Sequence, residues 1–298
     1  MNAHKSGFAA VIGRPNVGKS TLINALIGQK IAIMSDKPQT TRSRILCILT
    51  EEDAQIIFLD TPGVHKPKHK LGDYMAKATE GALHGVDVVV FVVDVTEKMG
   101  AGEQYILKQL ERVRVPVLLA VNKVDCIARE QVLPILANYA KAYDFAGIVP
   151  ISAREGENLE GLLAEIKAHL PEGPQYYPAD MVTDQPERNI VQEIVREKLL
   201  LRTREEVPHA IGVFTEEFSE RENGKVYIRC TIYVERDSQK RIIIGRKGTL
   251  LKEAGQEARE EIQNLIGAPV FLDLWVKVSR DWKNKDYILR ELGYKEHK

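Results

Sequence analysis

The chain has 298 residues, 44% apolar and 28% charged, with 42 basic residues against 42 acidic ones. That length fits two domains of ordinary size, no tract is poor enough in apolar residues to be read as disordered, and net neutrality requires any nucleic-acid partner to be argued from a local basic surface. Cys47, Cys126 and Cys230 are odd in number, far apart and never in a CxxC pair, which argues against a disulfide framework or a zinc ribbon and fits a reduced, cytoplasmic setting.

The opening residues MNAHKSGFAAVIGRP lack the sustained apolar core and small-residue cleavage site of a signal peptide. From Phe8 to Ile12 an apolar run predicts a strand, and Leu22, Ile23, Leu26 and Ile27 then fall on one face of a helix. The turn between them reads Gly13, Arg14, Pro15, Asn16, Val17, Gly18, Lys19, Ser20, followed by Thr21, and fills every fixed position of GxxxxGKS. Glycines let backbone amides close on phosphate, Lys19 offers charge to the terminal phosphates, and Ser20 offers a hydroxyl to magnesium.

A polar stretch, Pro38, Gln39, Thr40, Thr41, Arg42, precedes the next apolar strand. A threonine here is expected to reach magnesium only while a third phosphate is present: Thr41, or one residue earlier, Thr40. The strand QIIFLD ends in Asp60, a second magnesium candidate acting through water, and Gly63 offers an amide to the terminal phosphate. Val64 follows, a side chain with no hydrogen-bonding group to orient an attacking water, so unaided hydrolysis is expected to be slow. The run HKPKHK, His65 to Lys70, reads as a solvated basic loop; Pro67 argues against a helical zinc pair of His65 and His69.

The most apolar stretch, Val86 to Val95, contains Asp87 and Asp94 and is far shorter than the roughly 20 residues of a membrane-spanning helix. The next apolar run delivers Asn122, Lys123 and Asp125 to a strand's carboxyl end, where open α/β sheets bind ligands. A carboxylate at Asp125 can accept from both N1 and N2 of guanine, and adenine cannot satisfy it, so GTP is favoured over ATP. Ser152 and Ala153 end one more strand, with the Ala153 amide expected to meet guanine O6 and a helix following from about Asn158.

In this order and spacing the motifs resemble the GTPase domain of the P-loop superfamily, which implies a mostly parallel sheet with helices on both faces. By the same resemblance Asn16 matches an asparagine that holds potassium beside the phosphates in some of these GTPases. Prolines 171, 174, 178 and 186 then punctuate a stretch without periodicity, and residues 173–185 are expected to link a first domain, 1–172, to a second, 186–298.

In the second half the order reads helix, strand (His209 to Glu217), strand (Lys225 to Glu235), helix, helix, strand, helix, a small α+β unit with Asn223 and Gly224 as hairpin turn. Phe271, Leu274 and Val276 are read as an imperfect alternation in the last strand. Between the paired helices stands Ile244, Gly245, Arg246, Lys247, Gly248, a turn that resembles the GxxG loop of a type II KH domain, which clamps single-stranded RNA. From Arg236 to Lys252 six basic residues, among them Lys240 and Arg241, face one acid, Asp237.

A GTPase domain followed by a KH domain is similar to the Era-like family of bacterial ribosome-assembly GTPases. That resemblance implies binding of GTP and GDP with Mg2+ and a single-stranded ribosomal RNA partner, the 3′ end of small-subunit rRNA. It also implies action on the small ribosomal subunit as a monomer, in the cytoplasm or peripherally on the inner membrane surface. Two other readings stand beside it: a membrane-surface signalling GTPase, on the seven basic residues against four acidic ones from Lys277 to Lys298, and an RNA-binding scaffold with structural nucleotide.

Overall fold

The computed structural model describes residues 4–35, 37, 40–64, 67, 69–222 and 224–294. In chain order the first elements are β1 (Lys5–Ile12), α1 (Lys19–Ile27), β2 (Ile45–Thr50), β3 (Ala54–Asp60), α2 (Lys70–Ala82), β4 (Val88–Asp94), α3 (Ala101–Leu110), β5 (Val117–Asn122), α4 (Arg129–Ala142), β6 (Gly147–Pro150) and α5 (Leu159–His169). The sheet runs β2-β3-β1-β4-β5-β6, parallel throughout except that β2 is antiparallel to β3.

Strands buried on both faces need side chains of both parities to be apolar, and VVVFVVD of β4 meets that requirement. Val88, Val90 and Val92 join Leu22, Ile23, Leu162 and Ile166 in the core under α1 and α5. Val89, Phe91 and Val93 join Ile106, Leu110 and Tyr139 in the core under α3 and α4. Each such side chain contributes about 1.5–3 kcal/mol of burial, so the sheet is rigid and its carboxyl ends are fixed platforms.

Two compact units divide the chain: Met1–Met34 with Thr41–Lys66 and Met75–Asp184, and Ser35–Thr40 with Pro67–Tyr74 and Gln185–Lys298. The proline-rich stretch after α5 is irregular, yet its residues 173–184 belong to the first unit. Buried Gln55 explains much of that: its Oε1 accepts from the Tyr176 and Tyr177 amides at 2.7 and 2.9 Å, and its Nε2 donates to the Tyr177 carbonyl at 2.8 Å.

In the second unit follow α6 (Glu187–Arg202), α7 (Val207–Ala210), β7 (Gly212–Glu220), β8 (Val226–Val234), α8 (Asp237–Ile244), α9 (Thr249–Ile266), β9 (Val270–Val278) and α10 (Asp286–Glu291). The strand order is β7-β8-β9, with β7 antiparallel and β9 parallel to β8. The first strand starts three residues later than the alternation of His209–Glu217 predicts, because Pro208 sits in the first turn of the short α7. The imperfect alternation of the last strand is seen at Phe271: it is 60% exposed, on the opposite face of β9 from Leu274 and Val276. The predicted turn residue Asn223 lies outside the described residues.

Candidate functional site

β1 ends against the phosphate loop, and α1 starts from Gly18, whose φ of 99° puts the cap in left-handed space. Lys19 is 6% exposed, and its Nζ donates to the carbonyls of Gly13 and Arg14 at 3.1 and 2.8 Å. Burial lowers its pKa to about 8, partly countered by Asp60. Asn16 takes φ 66°, a left-handed position that suits asparagine. The Arg14 side chain turns to α3 and its approach: its Nη1 donates to Glu97 at 2.6 Å and to Glu103 at 2.8 Å, so it is clasped by acids.

Three oxygens converge at the start of α1. Ser20 Oγ donates to Asp60 Oδ2 at 2.8 Å and lies 3.0 Å from Thr41 Oγ1, which is 3.2 Å from the same carboxylate oxygen. Asp60 is fully buried, its pKa is raised by that burial, and its Oδ1 has no hydrogen-bond partner. A hard divalent cation is what such an all-oxygen set with an unsatisfied carboxylate oxygen fits. Thr40 is different: its hydroxyl turns back to the carbonyl of Lys37 at 2.6 Å. A Cβ on Gly63 would lie 2.6 Å from the Pro15 nitrogen, so only glycine brings this turn so close to the phosphate loop. Val64 packs against the core beneath α3 and α4.

The base corner lies at the ends of β5 and β6. Asn122 is 2% exposed; its Nδ2 donates to the Val17 carbonyl at 2.8 Å and its Oδ1 accepts from the Ala153 amide at 2.9 Å. It therefore braces the phosphate loop against the Ser152–Ala153 turn, and the Ala153 amide expected at guanine O6 has Asn122 as its partner here. Asp125 is exposed, and a hydrogen bond from the buried Ser152 hydroxyl holds its carboxyl below the usual range. Lys123 donates to the Asn16 carbonyl at 3.0 Å and to Asp94. Burial raises the Asp94 carboxyl, but Lys123 and Thr96 outweigh it and leave it lowered.

In the second unit the GRKG turn follows α8 directly. Gly245 has φ 75°, Lys247 φ 53° and Gly248 φ 80°, which hold Arg246 and Lys247 exposed at the amino end of α9. Ile243 is buried, Ile244 half-buried, and Arg241 exposed beside half-buried Lys240. Among the predicted residues Pro38, Gln39, His65, Lys66 and Lys68 lie outside those described. As site residues, Asp94 and Glu103 were missed by the sequence reading. An acid closing an otherwise apolar strand was a usable signal for Asp94, whereas Glu103 lies 89 residues from its partner Arg14 and had none.

Among the described residues no helix is long and apolar enough to cross a membrane. A family model described as "50S ribosome-binding GTPase" matches residues 8–123, and one described as "KH domain" matches residues 206–283. The chain is 42% identical, over 98% of its length and 99% of the other's, to the crystal structure of Era in complex with MgGDPNP and nucleotides 1506–1542 of 16S ribosomal RNA, with a TM-score of 0.95. It is also 42% identical, over 97% of its length and 99% of the other's, to a single-residue variant of Aquifex aeolicus Era bound to GDP and AlF4−, with a TM-score of 0.94.

Proposed function

We propose a function from one premise: the chain belongs to the Era family of GTPases. It hydrolyses GTP to GDP and phosphate, and it binds ribosomal RNA through its KH domain. The family model names the 50S particle while the match spanning the whole chain carries 16S RNA; we follow the latter, because it includes both domains, and assign the 3′ end of small-subunit RNA and assembly of that subunit.

One observation carries the nucleotide reading: Ser20 and Thr41 meet on one carboxylate oxygen of buried Asp60, whose other oxygen has no hydrogen-bond partner, beside the buried Lys19. In it, Ser20, Thr41 and Asp60 are the residues that would hold Mg2+, which when bound would supply positive charge to neutralise the phosphates. Lys19 and the amides of residues 13–18 bind the phosphates, Gly63 meets the terminal one, and Asp125, oriented by Ser152, reads the guanine N1 and N2 donors. With Val64 in place of a hydrogen-bonding side chain, unaided turnover is slow. Asn16 binds K+ beside the phosphates; equal turnover in matched sodium and potassium salts would remove that assignment.

Arg246 and Lys247, exposed between two left-handed glycines, are the support for RNA at the amino end of α9, with Lys240 and Arg241 adding charge. The segments next to Thr41 and Gly63 in the chain, Ser35–Thr40 and Pro67–Tyr74, count with the KH residues in one compact unit. Within it Arg196 donates to the Thr40 carbonyl and Lys70 pairs with Asp286 at 2.8 Å. Ordering of these segments by the third phosphate is thereby passed to RNA binding. The test is RNA affinity measured with GDP and with a nonhydrolysable GTP analogue: a difference is expected, and equal values would sink the coupling. The protein acts in the cytoplasm as a monomer, and any membrane association is peripheral.

A further inference from the structure

A phosphate loop must hold several amides inward through backbone angles that no regular element repeats, and its glycines add freedom that something has to remove. Here Val17 is buried on one side of the loop. On the other side Arg14 reaches α3. Its guanidinium meets Glu97 at 2.6 Å and Glu103 at 2.8 Å, and its stem crosses Gly102, where a Cβ would lie 2.8 Å from Arg14 Cδ. Glu103 is 3% exposed and uses its other oxygen to accept from the Gly100 amide at 2.8 Å, so it joins the start of α3 to the phosphate loop. The hydrogen bond to Glu103 raises the pKa of the Arg14 guanidinium, and Glu103, though burial raises it, is held lowered by Arg14 and the Gly100 amide.

We infer that Glu103 and Gly102 are positioning residues for nucleotide binding, which fasten the phosphate loop to α3 through Arg14. The pair does two things. A charge-assisted bond with a buried acceptor fixes one end of the loop before nucleotide arrives. Arg14 also neutralises two carboxylates that would otherwise repel a polyphosphate.

The inference rests on the reading of Gly13 to Ser20 as the nucleotide site, and the experiment separates the two. Release of a fluorescent GDP analogue is measured by stopped flow for the full chain and for Glu103→Gln, Arg14→Met, their double variant and Gly102→Ala, beside the thermal midpoint of each nucleotide-free protein. Glu103→Gln is expected to speed release about tenfold, the scale of one lost charge-assisted hydrogen bond, and Arg14→Met, which gives up both acids, at least as much. The double variant is expected to release no faster than the faster single. Gly102→Ala places a methyl against the Arg14 stem without removing a charge, and alanine is the better helix former. It should speed release while the thermal midpoint holds or rises, which a merely structural role for α3 would not produce. Preference for GTP over ATP should stay unchanged in all four, because the base corner is untouched. Release at the unsubstituted rate, or single effects that multiply in the double variant, would overturn the inference. If Glu103→Gln fails to fold, Gly102→Ala decides alone. Failure of the unsubstituted chain to retain guanine nucleotide would instead defeat the site reading itself.

Discussion

The two glycine loops of this chain look alike in one dimension and differ in the depth at which they are built. Gly13 to Ser20 sits on the end of a buried sheet, with Lys19 6% exposed, Asn122 bracing it from β5 and Arg14 clasped by α3. Gly245 to Gly248 projects between two helices with Arg246 and Lys247 exposed. A loop that must distinguish the terminal phosphates of one small ligand needs every amide held in advance, and that requires a core behind it. A loop that grips the backbone of a polymer needs only a close approach, a helix amino end and charge.

The sharpest way to break that contrast is one methyl in each loop. At Gly18 a Cβ would lie 2.3 Å from Asn122 Nδ2, whereas at Gly248 it meets nothing within 4 Å. Gly18→Ala is expected to lower GTP affinity by more than about 100-fold, since Asn122 cannot move without releasing Val17 and Ala153. Gly248→Ala carries only the left-handed penalty of roughly 1–2 kcal/mol and should weaken RNA binding by about tenfold. Calorimetric titration of nucleotide and of a single-stranded RNA checks both; comparable losses would erase the distinction.

Next in size is Asp125→Ala, expected to reduce preference for GTP over ATP by on the order of 100-fold while leaving RNA affinity with no nucleotide present unchanged. Competition between the two nucleotides measures it. A smaller effect follows from burial of Lys19, whose pKa stands at about 8 in the nucleotide-free protein. Facing phosphate, the bound ammonium keeps its proton, so above pH 8 binding must take up a proton and affinity falls as pH rises. Between about pH 7 and pH 9 the loss should be roughly tenfold, with proton uptake visible in buffers of different ionisation enthalpy. Smallest is Lys247→Ala, which should lower the slope of log affinity for RNA against log salt by about 0.7, the share of one phosphate contact on a single strand. An unchanged slope would remove Lys247 from the RNA backbone.

The nucleotide motifs were legible because each is a short run: strand, turn and helix are neighbours in sequence, so spacing alone sets the local geometry. The same holds for GRKG between α8 and α9. The choice between Thr40 and Thr41 was not legible, because it depends on which hydroxyl reaches Ser20 and Asp60 across two strands, and the structure brings Thr41 there at 3.0 and 3.2 Å. Which face of β9 is covered was not legible either, because period-two alternation names two faces without saying which one meets the helices.

What the sequence determined by itself, then, is the order of two domains and the local chemistry of each loop, since both follow from residues a few positions apart. Only the tertiary structure decided how those loops are held. Arg14 finds Glu103, Lys123 finds Asp94, and Asn122 joins Val17 to Ala153. Those partners lie between 29 and 105 residues apart, where no periodicity operates and only the packing of the sheet brings them together.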